Sequence, residues 1–116
     1  MYSMTRKGVS NMDVQLKRGL LDVCVHAAIE QEDSYGYQII KDMQPYVELS
    51  ESTLYPILRR LESADCLSVR SAEHNGRLRK YYQITPQGRQ RLSQFLTDWK
   101  ELQAIHDFIV NRGISE

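Results

Sequence analysis

A chain of 116 residues, 41% of them apolar, is long enough for one compact domain plus one protruding element and too short for two domains. The formal net charge is zero, so no whole-molecule field draws the chain towards nucleic acid or keeps it away. Cys24 and Cys66 are too few for a disulfide framework and too far apart for a metal knuckle. No apolar run reaches membrane-spanning length, and the start lacks the apolar centre of a signal peptide, which together predict a cytoplasmic protein.

Residues 1–12 read as a polar, weakly basic lead-in. A helix follows over 13–31, with Leu16, Leu20, Val23, Cys24 and Ala27 on one face and Leu21, Val25 and Ala28 widening it. Gly19 inside it costs about 1 kcal/mol against alanine and marks a place where another helix could come close. His26, the polar intruder, is expected to be a satisfied core or edge histidine. Asp33 or Ser34 is expected to cap a second helix over 35–44, with Tyr35, Ile39, Ile40 and Met43 facing inward. Pro45 breaks it.

The third helix, capped by Ser50 or Ser52 and running to Glu62, is the centre of the chain. At 100° per residue Leu54, Ile57, Leu58 and Leu61 share one side. Ser52, Arg59, Arg60 and Ser63 share the other, with Thr53 and Tyr55 on the flanks. Hydroxyls and N–H groups at a helix start favour phosphate oxygens, and an arginine fork matches guanine. Pro56, near the start of this helix, predicts a local bend. Two short amphipathic helices separated by a tight break form a helix-turn-helix arrangement.

Strands are expected over 67–71 and 80–84, joined by a hairpin whose turn signal is His74-Asn75-Gly76. Arg70, Arg77, Arg79, Lys80, Arg89 and Arg91 crowd this region against one acid, Glu73, so the neutral chain carries a local basic stripe. A basic hairpin directly after a helix-turn-helix is a wing, and its cations suit phosphates. Thr85 as N-cap and Pro86 at the first helical position open a final helix reaching about Val110. Leu92, Phe95, Leu96, Trp99, Leu102, Ile105 and Ile109 make a narrow coiled-coil-like seam along it. A helix longer than the domain beneath it needs another surface, and a second copy of itself is the expected partner.

From these residues the fold class is mainly α with a small β-hairpin: a winged helix-turn-helix over 13–85 and a C-terminal dimerisation helix and tail over 86–116. Ser50, Ser52, Thr53, Tyr55, Arg59, Arg77, Arg79 and Lys80 are the expected contacts to double-stranded DNA, on an inverted-repeat operator matching a two-fold dimer. An enzyme finds little support: His26, His74 and His106 are scattered, no serine or cysteine has a base partner, and no glycine loop opens a helix. No cofactor and no metal are expected. The competing reading is a winged helix that binds protein without DNA, which loss of the basic wing would favour.

Beyond these patterns, Gln15-Leu16-Lys17-Arg18-Gly19-Leu20-Leu21, Ser34-Tyr35-Gly36-Tyr37, Leu54-Tyr55-Pro56 and Arg79-Lys80-Tyr81-Tyr82-Gln83-Ile84-Thr85-Pro86 resemble the PadR family of transcriptional regulators over residues 13–99. The resemblance implies a winged helix-turn-helix homodimer, usually a repressor, of the shorter subfamily with one C-terminal helix. Some members of that subfamily bind flat aromatic compounds between the subunits, which here implies Phe95, Trp99 and Gln103 as ligand-facing residues. Gln103 stands where a carboxylate would suit a cationic drug, and Phe95 fills a place where a roomy pocket needs a small residue. Both differences argue for a different ligand, or none. Trp99 is expected either to pack against its own copy or to flank a slot for a planar aromatic compound.

Overall fold

The computed structural model describes residues 12–113; the predicted lead-in up to Asn11 and the tail after Gly113 lie outside the described residues. Helices α1 (Val14–Ala28), α2 (Gly36–Met43) and α3 (Glu51–Ser63) precede a hairpin of β1 (Leu67–His74) and β2 (Arg77–Ile84), and α4 (Pro86–Asn111) closes the chain. Asp13 caps α1 by accepting a 3.0 Å bond from the Leu16 N–H. Among the described residues no helix is long and apolar enough to cross a membrane.

One core holds the first three helices and the root of the hairpin together. Val25, Ile29, Ile39, Leu54, Leu58, Leu61 and Cys66 are almost completely buried, with Leu67, Tyr82 and Ile84 closing it from the sheet side. The whole predicted inner face of α3 lies in this core. Pro56 lies inside the first half of α3 without interrupting it, removing only the N–H that would have bonded the Ser52 carbonyl.

α1 departs from expectation. Its core-facing residues are Leu21, Val25 and His26, whereas Leu16 and Ala27, expected on the main inner face, are exposed. A broad apolar helix surface does not say which part of its arc turns inward, and here the flank does. A Cβ at Gly19 would meet nothing within 4 Å, so none of the described residues makes the close approach expected there. His26 is half-satisfied: its Nδ1 lies 2.6 Å from the Asp22 carbonyl, while Nε2 is buried without a described partner.

The cap expected for α2 is also absent. Tyr35, not Asp33 or Ser34, occupies the N-cap and its side chain makes no capping bond, so Tyr35 is not one of the helix's core positions. Ser34 instead exchanges backbone bonds with Tyr82, at 3.1 and 2.7 Å, adding a one-residue bridge to the hairpin. Pairing with the sheet satisfies that backbone better than a capped helix start would.

The hairpin is longer than predicted, pairing Leu67 with Ile84 at its root and His74 with Arg77 at its tip. Asn75 (φ 52°) and Gly76 (φ 77°) form the turn, the conformation that an Asn-Gly pair tolerates.

The root of α4 is fastened to the domain. Thr85 accepts the Gly88 N–H at 3.0 Å and donates to the Asp65 carbonyl at 2.6 Å, and the Gln87 amide donates to the Ala64 carbonyl at 2.9 Å. Gly88 is required there: a Cβ would lie 2.1 Å from the Cys66 carbonyl oxygen. Arg89 pairs with Glu30 at 3.0 Å, tying α4 to the end of α1. Beyond this root α4 runs free for most of its 26 residues, roughly 39 Å in all. The radius of gyration is 16.8 Å, against about 13 Å for a compact chain of this length.

Candidate nucleic-acid interface

The outer face of α3 is a row of small hydroxyls followed by arginine. Ser50 caps the helix, accepting the Thr53 N–H at 3.3 Å, and its Oγ lies 3.0 Å from Ser52 Oγ and 3.2 Å from Thr53 Oγ1. All three hydroxyl residues, and Arg59 a turn or two along, are exposed. Arg60, expected on the same open face, instead makes an ion pair with Asp22 and so joins α3 to α1.

Two grooves flank α3. One, of about 400 Å³, runs between α3, the start of α2 and the wing, and includes Tyr35, Glu51, Tyr55, Arg77, Arg79 and Lys80 in its walls. Tyr55 lies on its floor, packed so closely on Gly36 that a Cβ there would be 2.4 Å from the Tyr55 hydroxyl oxygen. Tyr55 is therefore a half-exposed wedge between α2 and α3, not a free surface side chain. Tyr82 lies beneath. Burial pushes its hydroxyl above the ordinary tyrosine value, with Tyr55 and Glu62 adding to the shift and Arg59 opposing it. The Tyr82 hydroxyl therefore stays neutral through the physiological range, and Arg77, Arg79 and Lys80 supply the cations of the groove.

The wing is braced at its root by five side chains in series. Asp33 pairs with Arg70 at 3.0 Å, and the Arg70 guanidinium lies 4.8 Å from the centre of the Tyr81 ring. Tyr81 meets Tyr35 edge to face at 5.6 Å, and the Arg79 guanidinium covers the other part of Tyr35 at 4.0 Å. None of these contacts was visible as a pattern, because they join residues on separate elements. The nearest signal was the clustering of tyrosine and arginine in the Arg79-Lys80-Tyr81 stretch. Arg77 and Lys80 make no ion pair with any described residue.

On α4 the predicted seam is open. Trp99, Leu102, Ile105 and Ile109 are exposed, Leu92 and Phe95 half-buried, and Phe108, outside the predicted seam, is exposed as well. Phe95 and Trp99 lie 6.2 Å apart with their rings tilted by 33°. Shallow apolar hollows adjoin Trp99 on both sides, one with Phe95 and Leu102 in its wall and one with Gln103 and Ile109. Phe95, Trp99 and Gln103 thus border one aromatic surface, without forming a closed pocket among the described residues. Burial pushes the Cys24 thiol above its ordinary value, which favours the protonated form. Among the described residues no group of three His, Cys, Asp or Glu could hold a metal ion.

Comparison with known proteins decides the family: the model described as the transcriptional regulator PadR-like family matches residues 25–94, more than half of the chain. The chain belongs to the PadR-like family. Its members are transcriptional regulators, not enzymes. An uncharacterized protein of Lysinibacillus sphaericus is 32% identical over 98 residues, spanning 80% of this chain and 90% of that one. A PadR-like transcription factor of Bacteroides fragilis is 33% identical and superimposes with a TM-score of 0.76, over 86% of this chain and 99% of that one. The fold is also that of Bacillus subtilis PadR, solved in complex with operator DNA, at a TM-score of 0.63 and 21% identity over 66% of this chain and 46% of that one. Winged-helix architecture is thereby shown, as the resemblance implied.

Proposed function

We propose that this PadR-like regulator is a dimeric repressor that reads an inverted-repeat operator through α3 and the wing, with residues 13–85 as the DNA-binding unit and 86–116 as the dimerisation element. The observation that carries the reading is the exposed hydroxyl-and-arginine face of α3 beside a braced hairpin whose Arg77 and Lys80 have no ion-pair partner among the described residues. In this reading Ser50, Ser52, Thr53 and Arg59 face the major groove, and Tyr55 supports the helix from its flank. Arg77 and Lys80 meet phosphates. Arg79 stacks its flat face on Tyr35 and keeps its in-plane N–H groups for the same strand. The open seam of α4 supports dimerisation: a second α4 would cover Trp99, Leu102, Ile105 and Ile109 and place two copies of α3 about one DNA turn, roughly 34 Å, apart. Such a protein works in the cytoplasm, where it meets chromosomal DNA.

Selection from a random duplex library tests this directly. Full-length protein should enrich an inverted repeat with half-sites one turn apart, and a promoter carrying that repeat should be silenced when the protein is added to a transcription reaction. Failure to enrich any motif would favour the winged helix that binds protein instead.

A planar aromatic compound between the two Trp99 rings is the proposed means of relief. The exposed indole and the apolar hollows beside it support that placement. Trp99 is the only tryptophan, so its fluorescence reports on this place alone. A panel of flat aromatic compounds should quench it saturably, and Trp99→Ala should abolish their binding in a protein that stays dimeric. Unchanged emission across the panel would make Trp99 interface core.

A further inference from the structure

The wing occupies one flank of α3; the opposite flank holds a second groove, of about 810 Å³, between α3 and the first turns of α1. Lys17 and Arg18 of α1 form one wall, and Ser50, Thr53 and Arg60 of α3 belong to the other. Arg60 is held by Asp22, an ion pair that fixes the spacing of the two walls and leaves Lys17 and Arg18 as the cations without an ion-pair partner among the described residues. Glu48 is the one acid lining the groove. The apolar part of the lining, Val14 and Pro56 among it, lies beside these cations and gives no opposing charge.

A helix with its side chains is about 10–12 Å across and fills a major groove about 12 Å wide, so a helix seated there has a phosphate strand along each flank. We propose that this second groove seats the phosphates of the strand opposite the wing, with Lys17 and Arg18 as backbone contacts. The inference rests on the reading of α3 as the helix that enters the major groove. It assigns to α1 a role separate from the core face made by Leu21, Val25 and His26: one end of the helix packs the domain, while its first turns help to clamp the duplex. Because phosphates carry no sequence, both residues act equally on operator and random DNA. Lys17 and Arg18, without ion-pair partners among the described residues, face a single acid, Glu48, a balance that favours a polyanion over a protein segment as the occupant.

Salt-dependent binding to a labelled random-sequence duplex tests the proposal on the full-length chain. Four proteins are compared by fluorescence anisotropy: wild type, Lys17→Gln with Arg18→Gln, Arg77→Gln with Lys80→Gln, and Lys100→Gln on the distal half of α4. Each lost phosphate contact should flatten the slope of log K against log salt by about 0.9. The α1 and wing pairs should both flatten it, by similar amounts and additively, while Lys100→Gln leaves it unchanged. Circular dichroism checks that each variant is folded, and Arg18→Gln alone, at an exposed position, serves if the double variant is not. If the wing pair flattens the slope and the α1 variants do not, the proposal fails and the wing reading stands. An α1 variant that lowers affinity at an unchanged slope also overturns it, because a lost phosphate contact must flatten the slope. If neither pair alters the slope, the DNA-binding reading falls, and this proposal with it.

Discussion

α3 and α4 carry apolar stripes of similar spacing, yet they end in opposite circumstances. Leu54, Leu58 and Leu61 of α3 are 0–1% exposed within a single chain, while Trp99, Leu102 and Ile105 of α4 are 46–49% exposed. Periodicity reveals that a helix has an inner side, but not whether its own chain supplies the cover. α3 is short and lies against α1, α2 and the sheet, so its stripe is enclosed locally. α4 is stitched at Thr85, Gln87, Gly88 and Arg89 and then outruns the domain. The first stripe makes a fold, and the second lies open among the described residues.

The largest expected effect would come from breaking the enclosed stripe. Leu54→Ala or Leu58→Ala should cost about 2–5 kcal/mol, because the surrounding core relaxes only partly around the cavity. Thermal unfolding followed by circular dichroism should show it, with loss of DNA binding following from loss of the fold. Breaking the open stripe should do something different. Leu102→Glu or Ile105→Glu should leave the winged-helix domain folded and release monomers in sedimentation. Affinity for a duplex with two half-sites should then fall on the order of 10²-fold or more as avidity is lost. Should these variants remain dimeric, the seam is not the interface and the contrast between the two helices disappears.

Two smaller changes sharpen the comparison. Tyr35→Leu removes the ring on which Arg79 lies and should cost about 0.5–1 kcal/mol of stability, whereas Tyr35→Phe should cost much less, since the ring face supplies the attraction. Denaturant titration of the pair separates the stack from simple packing. The smallest effect belongs to α1, whose outer arc is open like α4. Gly19→Ala should stabilise the protein by about 0.5–1 kcal/mol through helix propensity, as a Cβ there meets none of the described residues. A loss of stability would show that a partner helix meets α1 at Gly19.

Short-range rules were legible without the structure. A serine cap at Ser50 or Ser52, the Thr85 cap, the Asn75-Gly76 turn, the inner face of α3 and the seam of α4 all follow from neighbours within about one helical turn or one hairpin. Of the two serines the structure takes Ser50, and the Thr85 cap, the turn and the inner face of α3 stand where the sequence put them. What tertiary structure decided is where distant segments compete for the same group. Ser34 gave up its expected capping place to bond with Tyr82, Arg60 left the open face for Asp22, and α1 turned its flank inward. Arg79 found Tyr35, and Gly88 made room for the Cys66 carbonyl. Each of these contacts joins residues on different elements. A local pattern carries no record of which backbone or charge will arrive from elsewhere, so the chain's own order determined the elements and their faces, and packing determined which polar groups remained free to meet a ligand.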